Sequence, residues 1–137
     1  GAADHEDVGR LHVAVHDALA MRVGQRVGNA AHDQRCLFGR RAPAFLAQLA
    51  QEKLPFPRSA QNRVNEITKL ETTPEWTLHG KTGWSTFSKP NVGWWVGWVE
   101  KQGKIYAFAM NMDMAGEVDL PKRVELGKAS LIALGVM

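Results

Sequence analysis

Two stretches decide the fold that we expect for this chain: Trp76-Thr-Leu-His-Gly-Lys-Thr-Gly-Trp84 and, after eight intervening residues, Gly93-Trp-Trp-Val-Gly-Trp-Val-Glu100. Both are rich in aromatic and β-branched residues, which favour strands. A third such stretch follows Lys101-Gln-Gly103, where the glycine suits the left-handed position of a three-residue hairpin loop. We therefore predict a three-stranded antiparallel sheet, with strands at about 76–84, 92–100 and 104–112.

The middle strand has two different faces. Alternation separates Val92, Trp94, Val96 and Trp98 from Gly93, Trp95, Gly97 and Val99. The glycines leave room for another group to approach the backbone closely. We expect the five tryptophans to pack mainly in the core, with Trp84 and Trp95 as the exceptions.

Helices are predicted on both sides of the strands in sequence. Spacings of three and four between apolar residues favour helices over 7–23, over 59–71, and from Pro121 to a stop at Gly135, with Asp119 as the cap of the last one. Pro43 suits the first turn of a further helix, 43–52. Residues 24–41 have no clear period and are predicted to form a loop. The pattern as a whole predicts an α+β fold.

Composition narrows the class of protein. The 137 residues fit one domain, 1–137, and no apolar run approaches the length of a membrane span. The net charge of +3 comes from bases interspersed with acids, so we expect no nucleic-acid partner. Cys36 is the single cysteine and cannot form an internal disulfide. Residues 1–7 lack the basic start and apolar core of a signal peptide.

Lys81-Thr82-Gly83, at the end of a predicted strand, offers chemistry for an anionic or acyl ligand. The ammonium supplies charge, the hydroxyl donates and accepts hydrogen bonds, and the glycine allows a ligand to lie against the backbone. A tripeptide of this kind is also common at strand ends that bind nothing. Its flanks carry the argument further: Phe108-Ala-Met-Asn-Met-Asp113 and Leu120-Pro-Lys-Arg123 follow in order.

This ordered set, together with Leu54-Pro-Phe56, closely resembles the C-terminal part of class D β-lactamases (oxacillinases), within the penicillin-recognising serine hydrolase family. The resemblance covers about residues 42–137 and implies a periplasmic β-lactam-binding protein with a β-lactamase/transpeptidase-like fold and no cofactor. It also implies a substrate site formed by Lys81, Thr82, Gly83, Trp84 and Arg123, in which Arg123 pairs with the carboxylate of the drug. From its position alone, Arg123 would be a solvated arginine in the first turn of a helix.

Residues 1–41 form an altered or divergent part. His12 to Gly24 resembles the helix that follows the family's Ser-x-Val motif, with Leu11 in place of the serine. Val27-Gly28-Asn29 falls where the family has Tyr-Gly-Asn, and Cys36 to Gly39 falls where it has an Ω-loop.

The nucleophile motif of the family, Ser-x-x-Lys, is missing. None of Ser59, Ser85, Ser88 and Ser130 has a lysine three residues later, and Thr86-Phe-Ser-Lys89 is a near-match in a predicted loop. Without serine and lysine no acyl-enzyme can form by the family's route. The catalytic residues are therefore unknown, and we expect little or no turnover.

Two alternatives stay open. The chain could be a non-catalytic module that binds β-lactams or pairs strands, because the N-terminal strands of the family would be missing and a sheet edge would be left for a homo-oligomer. His12 and His16, four apart on the predicted helix, could instead bind zinc in a metal-dependent hydrolase. Packed or solvated histidines explain that pair better, and we expect no metal.

Overall fold

A six-stranded antiparallel sheet runs through the described part of the molecule. The structure, a computed structural model, describes residues 11–17, 20–21 and 30–137, with side chains for Phe38 and residues 41–137. The elements follow in chain order: β1 (Leu11–Asp17), β2 (Ala20–Met21), α1 (Ala30–Ala50), α2 (Arg58–Thr68), β3 (Lys69–Thr72), β4 (Trp76–Ser85), β5 (Asn91–Lys101), β6 (Lys104–Met114), a 3₁₀ turn (Glu117–Asp119) and α3 (Lys122–Ala133). The strand order is β2-β1-β6-β5-β4-β3. The α+β class and the three predicted strands, which are β4, β5 and β6, are confirmed, whereas a sheet of only three strands is wrong.

The prediction of a helix at residues 7–23 is wrong where the structure describes that segment. Residues 11–17 form β1, which pairs antiparallel with β6 from Leu11 opposite Met112 to Asp17 opposite Tyr106. Leu11, Val13 and Val15 also alternate with period two, so the sequence suits a strand as well as a helix. The open edge of β6 decides between them, because its backbone groups need hydrogen-bond partners. The edge of β6 is therefore covered by β1 of the chain itself, and β1 pairs on its other side with β2 at His16 and Asp17.

The predicted loop at 24–41 is helical from Ala30 onward. It is continuous with the predicted helix at 43–52, so that α1 runs to Ala50 with Pro43 inside it rather than in its first turn. Ala47, Leu49 and the buried Pro43 are on the side of α1 that packs on the sheet. No helix in the described part of the chain is long and apolar enough to cross a membrane.

The helix predicted at 59–71 ends three residues early. α2 ends at Thr68, and the next four residues are β3, in which Lys69 is opposite His79 on β4. β3 reaches along β4 only from Thr77 to His79. All four of its residues are exposed.

The two faces of the sheet carry separate cores, as the alternation predicts. Trp98 and Ala107 pack against Ala47 and Leu49 of α1 on one face. The other core consists of these buried residues: Leu78, Trp95, Val99, Phe108, Met110, Leu131 and Val136. Trp95 is 0% exposed, so the prediction that it lies outside the core is wrong. Trp84, the other predicted exception, is 39% exposed.

The hairpin between β5 and β6 is tighter than predicted. Lys101 pairs with Lys104, and the loop between them has two residues, not three. Gln102 and Gly103 both have positive φ, 53° and 73°. A two-residue turn of this type matches the twist of the strands that it joins. The left-handed glycine is therefore confirmed and the loop length is corrected.

Helix α3 lies against the sheet through a glycine. A Cβ atom on Gly127 would be 2.1 Å from Cε3 of Trp95, so the indole ring touches the helix backbone. Gly135, with φ 71°, follows the end of α3, as expected. The predicted cap is wrong, because the helix has no side-chain cap and Asp119 instead accepts a hydrogen bond from the backbone N–H of Ala115 at 2.8 Å.

His79 is buried between β4 and α2, on the face opposite Trp95. Its ring stacks on Trp98 with centroids 4.5 Å apart, and Nε2 is 3.6 Å from Oε1 of Glu100. Burial lowers the pKa of His79 below 6.5, while Glu100 acts in the opposite direction and Lys69 adds to the lowering. The neutral imidazole is therefore the form that the fold prefers.

We expect Gly127→Ala to destabilise the protein by roughly 1–3 kcal/mol through overpacking against Trp95. In an isolated helix the same change would stabilise the helix by about 1 kcal/mol. The sign of the change in the free energy of unfolding therefore distinguishes the packing effect from helix propensity. Ala129→Gly, on the exposed side of α3, should lose about 1 kcal/mol by propensity alone. Urea denaturation of both variants measures the free energy of unfolding. A Gly127→Ala variant more stable than the wild type would contradict the close contact between Gly127 and Trp95.

We expect the free energy of unfolding to fall as the pH drops below 6.5, because the unfolded chain then binds a proton that folded His79 resists. His79→Phe keeps an aromatic ring over Trp98 but does not titrate. The difference in stability between wild type and this variant should therefore change between about pH 7.5 and pH 5.5, to the disadvantage of the wild type at low pH. If the free energies of unfolding of wild type and variant, measured by urea denaturation, change with pH in parallel, His79 has the same pKa in the folded and unfolded states.

Candidate functional site

The Lys-Thr-Gly segment lies on a stretch of β4 that has an open edge. β5 pairs with the whole of β4, but β3 pairs with it only up to His79. In the described part of the chain, residues 80–85 therefore have a strand partner on one side only. Backbone groups along such an edge are available to a ligand or to another strand.

Lys81 is exposed at this edge. Its Nζ donates a hydrogen bond to the carbonyl oxygen of Thr82 at 2.6 Å, which holds the ammonium close to the backbone. Thr82 and Gly83 are half-buried. A ligand that accepts from Lys81 would replace a single local hydrogen bond at an exposed position, at small energetic cost.

Arg123 reaches the same segment from α3. Its Nη1 donates to the carbonyl oxygen of Gly83 at 2.6 Å, and its Nε donates to the carbonyl oxygen of Leu120 at 3.0 Å. The residue is only 8% exposed, and burial lowers its pKa. An arginine remains protonated after such a shift, so the guanidinium is a fixed positive charge beside Gly83. The solvated position that the helix pattern suggested for Arg123 is therefore wrong.

The predicted site residues approach β4 from two sides. Lys81 is opposite Val96, on the face that α1 and α2 cover in part. Thr82 and Trp84 point to the other face, where Trp84 is opposite Gly93 and Arg123 packs on Gly93. The structure brings Arg123 to Gly83, but it does not place the four side chains of the predicted site on one surface. A ligand that contacts both Lys81 and Arg123 has to lie along the edge of β4.

Two further residues, one beside Arg123 and one in the turn before α3, were not predicted as part of the site. Gly93 leaves the space in which the side chain of Arg123 lies. Asp119 is buried, accepts from the N–H of Ala115, and forms an ion pair with Lys122 at 3.0 Å. Lys122 and that N–H lower the pKa of Asp119. The sequence predicts a close approach at the glycines of this strand, which Gly93 shows, but neither a strand glycine nor an acidic residue before Pro121 is specific enough to indicate Arg123 or Lys122 as the partner.

The described serines and threonines do not form a nucleophile–base pair of the Ser-x-x-Lys kind. Thr86 to Lys89 is a loop after β4, as predicted, rather than the start of a helix. Within it, Ser88 Oγ donates to the carbonyl oxygen of Pro90 at 3.0 Å. Ser130 Oγ donates to the carbonyl oxygen of Leu126, within α3. These bonds give each hydroxyl a structural role.

The zinc hypothesis for His12 and His16 requires both residues on one face of a helix, and the structure does not place them on a helix. His12 and His16 lie on strand β1, not on a helix. Residues four apart on a strand are separated by roughly 13 Å, too far for two imidazoles to share one ion. In the upstream resemblance, Cys36 to Gly39 belongs to α1 instead of an Ω-loop. Val27-Gly28-Asn29 lies outside the described residues.

Comparison with known proteins gives a consistent family. Residues 39–131 match the family model of the penicillin binding protein transpeptidase domain. The β-lactamase OXA-5 of Pseudomonas aeruginosa is 42% identical over 96 residues, which are 68% of this chain and 36% of the relative. OXA-48 of Klebsiella pneumoniae is 38% identical over 88 residues, 64% of this chain and 33% of the relative. The chain thus spans about a third of the length of the curated relatives that it matches.

Solved structures agree with the sequence match. FUS-1 (OXA-85), a class D β-lactamase from Fusobacterium nucleatum subsp. polymorphum, superimposes with a TM-score of 0.68 at 39% identity, covering 72% of this chain and 41% of that one. The class D β-lactamase YbXI from Nostoc gives a TM-score of 0.67 at 37% identity, over 72% of this chain and 41% of that one. The chain belongs to the penicillin-binding protein transpeptidase domain family and is a homologue of the class D β-lactamases.

Proposed function

We propose that this chain binds β-lactams without covalent chemistry, along the open edge of β4, and has little or no turnover. The observation that carries the proposal is the hydrogen bond from Arg123 to Gly83, which fixes a buried cation beside the Lys-Thr-Gly segment. A β-lactam of the penicillin type presents an amide and a carboxylate. The edge offers backbone groups for the amide and two cations for the carboxylate.

The two cations have different roles in this proposal. Lys81 is exposed and flexible, so it attracts the anion and adapts to its position. Arg123 is held by two backbone carbonyls and provides a fixed point that orients the ligand. Trp84, half-exposed on the same face as Arg123, adds apolar contact area beside the edge. Thr82 and Gly83 lie between these groups.

The lack of turnover follows from the missing nucleophile. Amide hydrolysis by the family's route needs a serine activated by a nearby lysine, and the sequence has no Ser-x-x-Lys. The periplasmic location that the resemblance implies belongs to this proposal as well. A β-lactam that is bound but not opened would make the chain a binding module rather than an enzyme.

We expect benzylpenicillin to bind reversibly and to leave the intact mass of the chain unchanged. Lys81→Ala should weaken binding roughly tenfold, since a charge-assisted hydrogen bond is lost. Lys104→Ala, an exposed lysine at the opposite end of the sheet, is the matched control and should bind as the wild type does. Calorimetry measures the binding and mass spectrometry the adduct. A covalent adduct, or rapid nitrocefin hydrolysis that needs Lys81, would contradict the absence of turnover.

An interaction role through a sheet edge is the second proposal. Its support is β3, a four-residue edge strand whose residues are all exposed: Leu70 is 53% exposed, and Ile67, in the last turn of α2, is 80% exposed. A second copy of the chain could pair with this edge, burying both apolar side chains. We assign the edge to β3 because exposed apolar side chains lie beside it; at the other end of the sheet β1 covers β6 and pairs with β2 only at His16 and Asp17.

We expect the chain to dimerise at high concentration in light scattering and Leu70→Lys to shift the equilibrium toward monomer, because a lysine on an edge strand opposes pairing. Val118→Lys adds the same charge at another exposed apolar position and should leave the equilibrium unchanged. A wild-type chain that stays monomeric at every concentration tested would exclude this role.

A further inference from the structure

The space beside Gly93 is already occupied. A Cβ atom on Gly93 would lie 2.7 Å from Cδ and 3.0 Å from Cγ of Arg123, and 2.2 Å from Sδ of Met114. The separations from Sδ and Cδ are shorter than those of real Cβ atoms, and the 3.0 Å to Cγ is tight, so at least one of the two side chains would have to move. Gly93 is itself buried and pairs with Trp84 on one side and Met112 on the other, which fixes its backbone.

The position of the guanidinium depends on that space. Because the methylene groups of Arg123 lie flat on β5 at Gly93, the charged end arrives beside Gly83 in line with two backbone acceptors. These bonds use the single N–H of Nε and one of the two on Nη1, so they leave the second N–H of Nη1 and both of Nη2 to meet an anion. Moving the methylene groups away from β5 would lengthen the 2.6 Å hydrogen bond to Gly83 and tilt the plane of the guanidinium group.

We propose that Gly93 is a positioning residue for carboxylate recognition. Having no side chain, it lets Arg123 pack against β5 and thereby fixes the guanidinium beside the Lys-Thr-Gly segment. This inference rests on the proposed function, since the carboxylate of a β-lactam is the anion concerned. Gly93 touches Arg123 rather than the ligand, so its effect on binding passes through the arginine.

Met114 is the other side chain that an added Cβ would displace. Methionine is flexible and fills irregular space, so it can move away at modest cost. Arg123 is held at both ends, by the helix backbone and by its two hydrogen bonds, and has less freedom to adapt. Gly93→Ala should therefore disturb Arg123 even when Met114 is removed. The double variant Gly93→Ala/Met114→Ala separates the two contacts and also relieves the closer clash.

The test compares benzylpenicillin with its methyl ester, which lacks the carboxylate charge. We expect the wild type to prefer the acid and Gly93→Ala to reduce that preference roughly tenfold, the size of one charge-assisted hydrogen bond. In an Arg123→Ala background the Gly93→Ala change should not reduce the preference further. Gly116→Ala is the matched control, since a Cβ atom there meets nothing within 4 Å. Gly93→Ala/Met114→Ala should show the same reduced preference for the acid as Gly93→Ala. If Gly93→Ala does not fold, the double variant is measured in its place.

A second readout does not need a ligand. The Nε–H signal of Arg123 in a ¹⁵N NMR spectrum, identified by its loss in Arg123→Lys, should shift and exchange faster with water in Gly93→Ala but not in Gly116→Ala. If the wild type binds neither acid nor ester, the proposed function fails and this signal alone decides the role of Gly93. Equal weakening of acid and ester by Gly93→Ala, or an unchanged Nε–H signal, overturns the positioning role.

Discussion

The contact between the indole of Trp95 and the backbone of α3 at Gly127 is the constraint on which the rest of the site depends. Trp95 has no exposed surface, and its ring also packs at 4.6 Å from that of Phe108. A close-packed aromatic side chain with no room on either side fixes the separation of helix and sheet. Arg123 is one turn before Gly127 on α3, so this separation determines how far its guanidinium reaches toward Gly83.

The site combines a fixed cation with an exposed one, and the fold explains the difference. Arg123 comes from a helix packed on one face of the sheet, where two backbone carbonyls hold it, while Lys81 projects from the opposite face at the unpaired part of β4. What the two residues share is the strand edge. The short length of β3, which stops pairing at His79, leaves that edge open. The candidate site therefore depends on a short neighbouring strand as well as on the Lys-Thr-Gly segment.

The residues that were easiest to interpret from sequence are those with a strict pattern. Strands β4, β5 and β6 follow from dense aromatic and β-branched residues, and the two faces of β5 follow from simple alternation. The N-terminal segment has both helical and strand periods, so only the hydrogen-bonding needs of β6 could decide it. Helix α1 begins before the region where its pattern becomes clear, and Phe38 in its earlier part lies edge-on against Trp94 of the sheet, a tertiary contact that no helical period records.

The sequence by itself determined the family resemblance, the candidate segment Lys81-Thr82-Gly83, and the absence of a Ser-x-x-Lys motif from these 137 residues, because each is a matter of residue identity and order. Tertiary structure alone decided that Arg123 is buried against Gly83, that Gly93 makes room for it, and that Lys81 and Arg123 lie on opposite faces of β4. These facts depend on how closely a helix approaches a sheet. That distance is set by side-chain volumes from different parts of the chain, which no local pattern records.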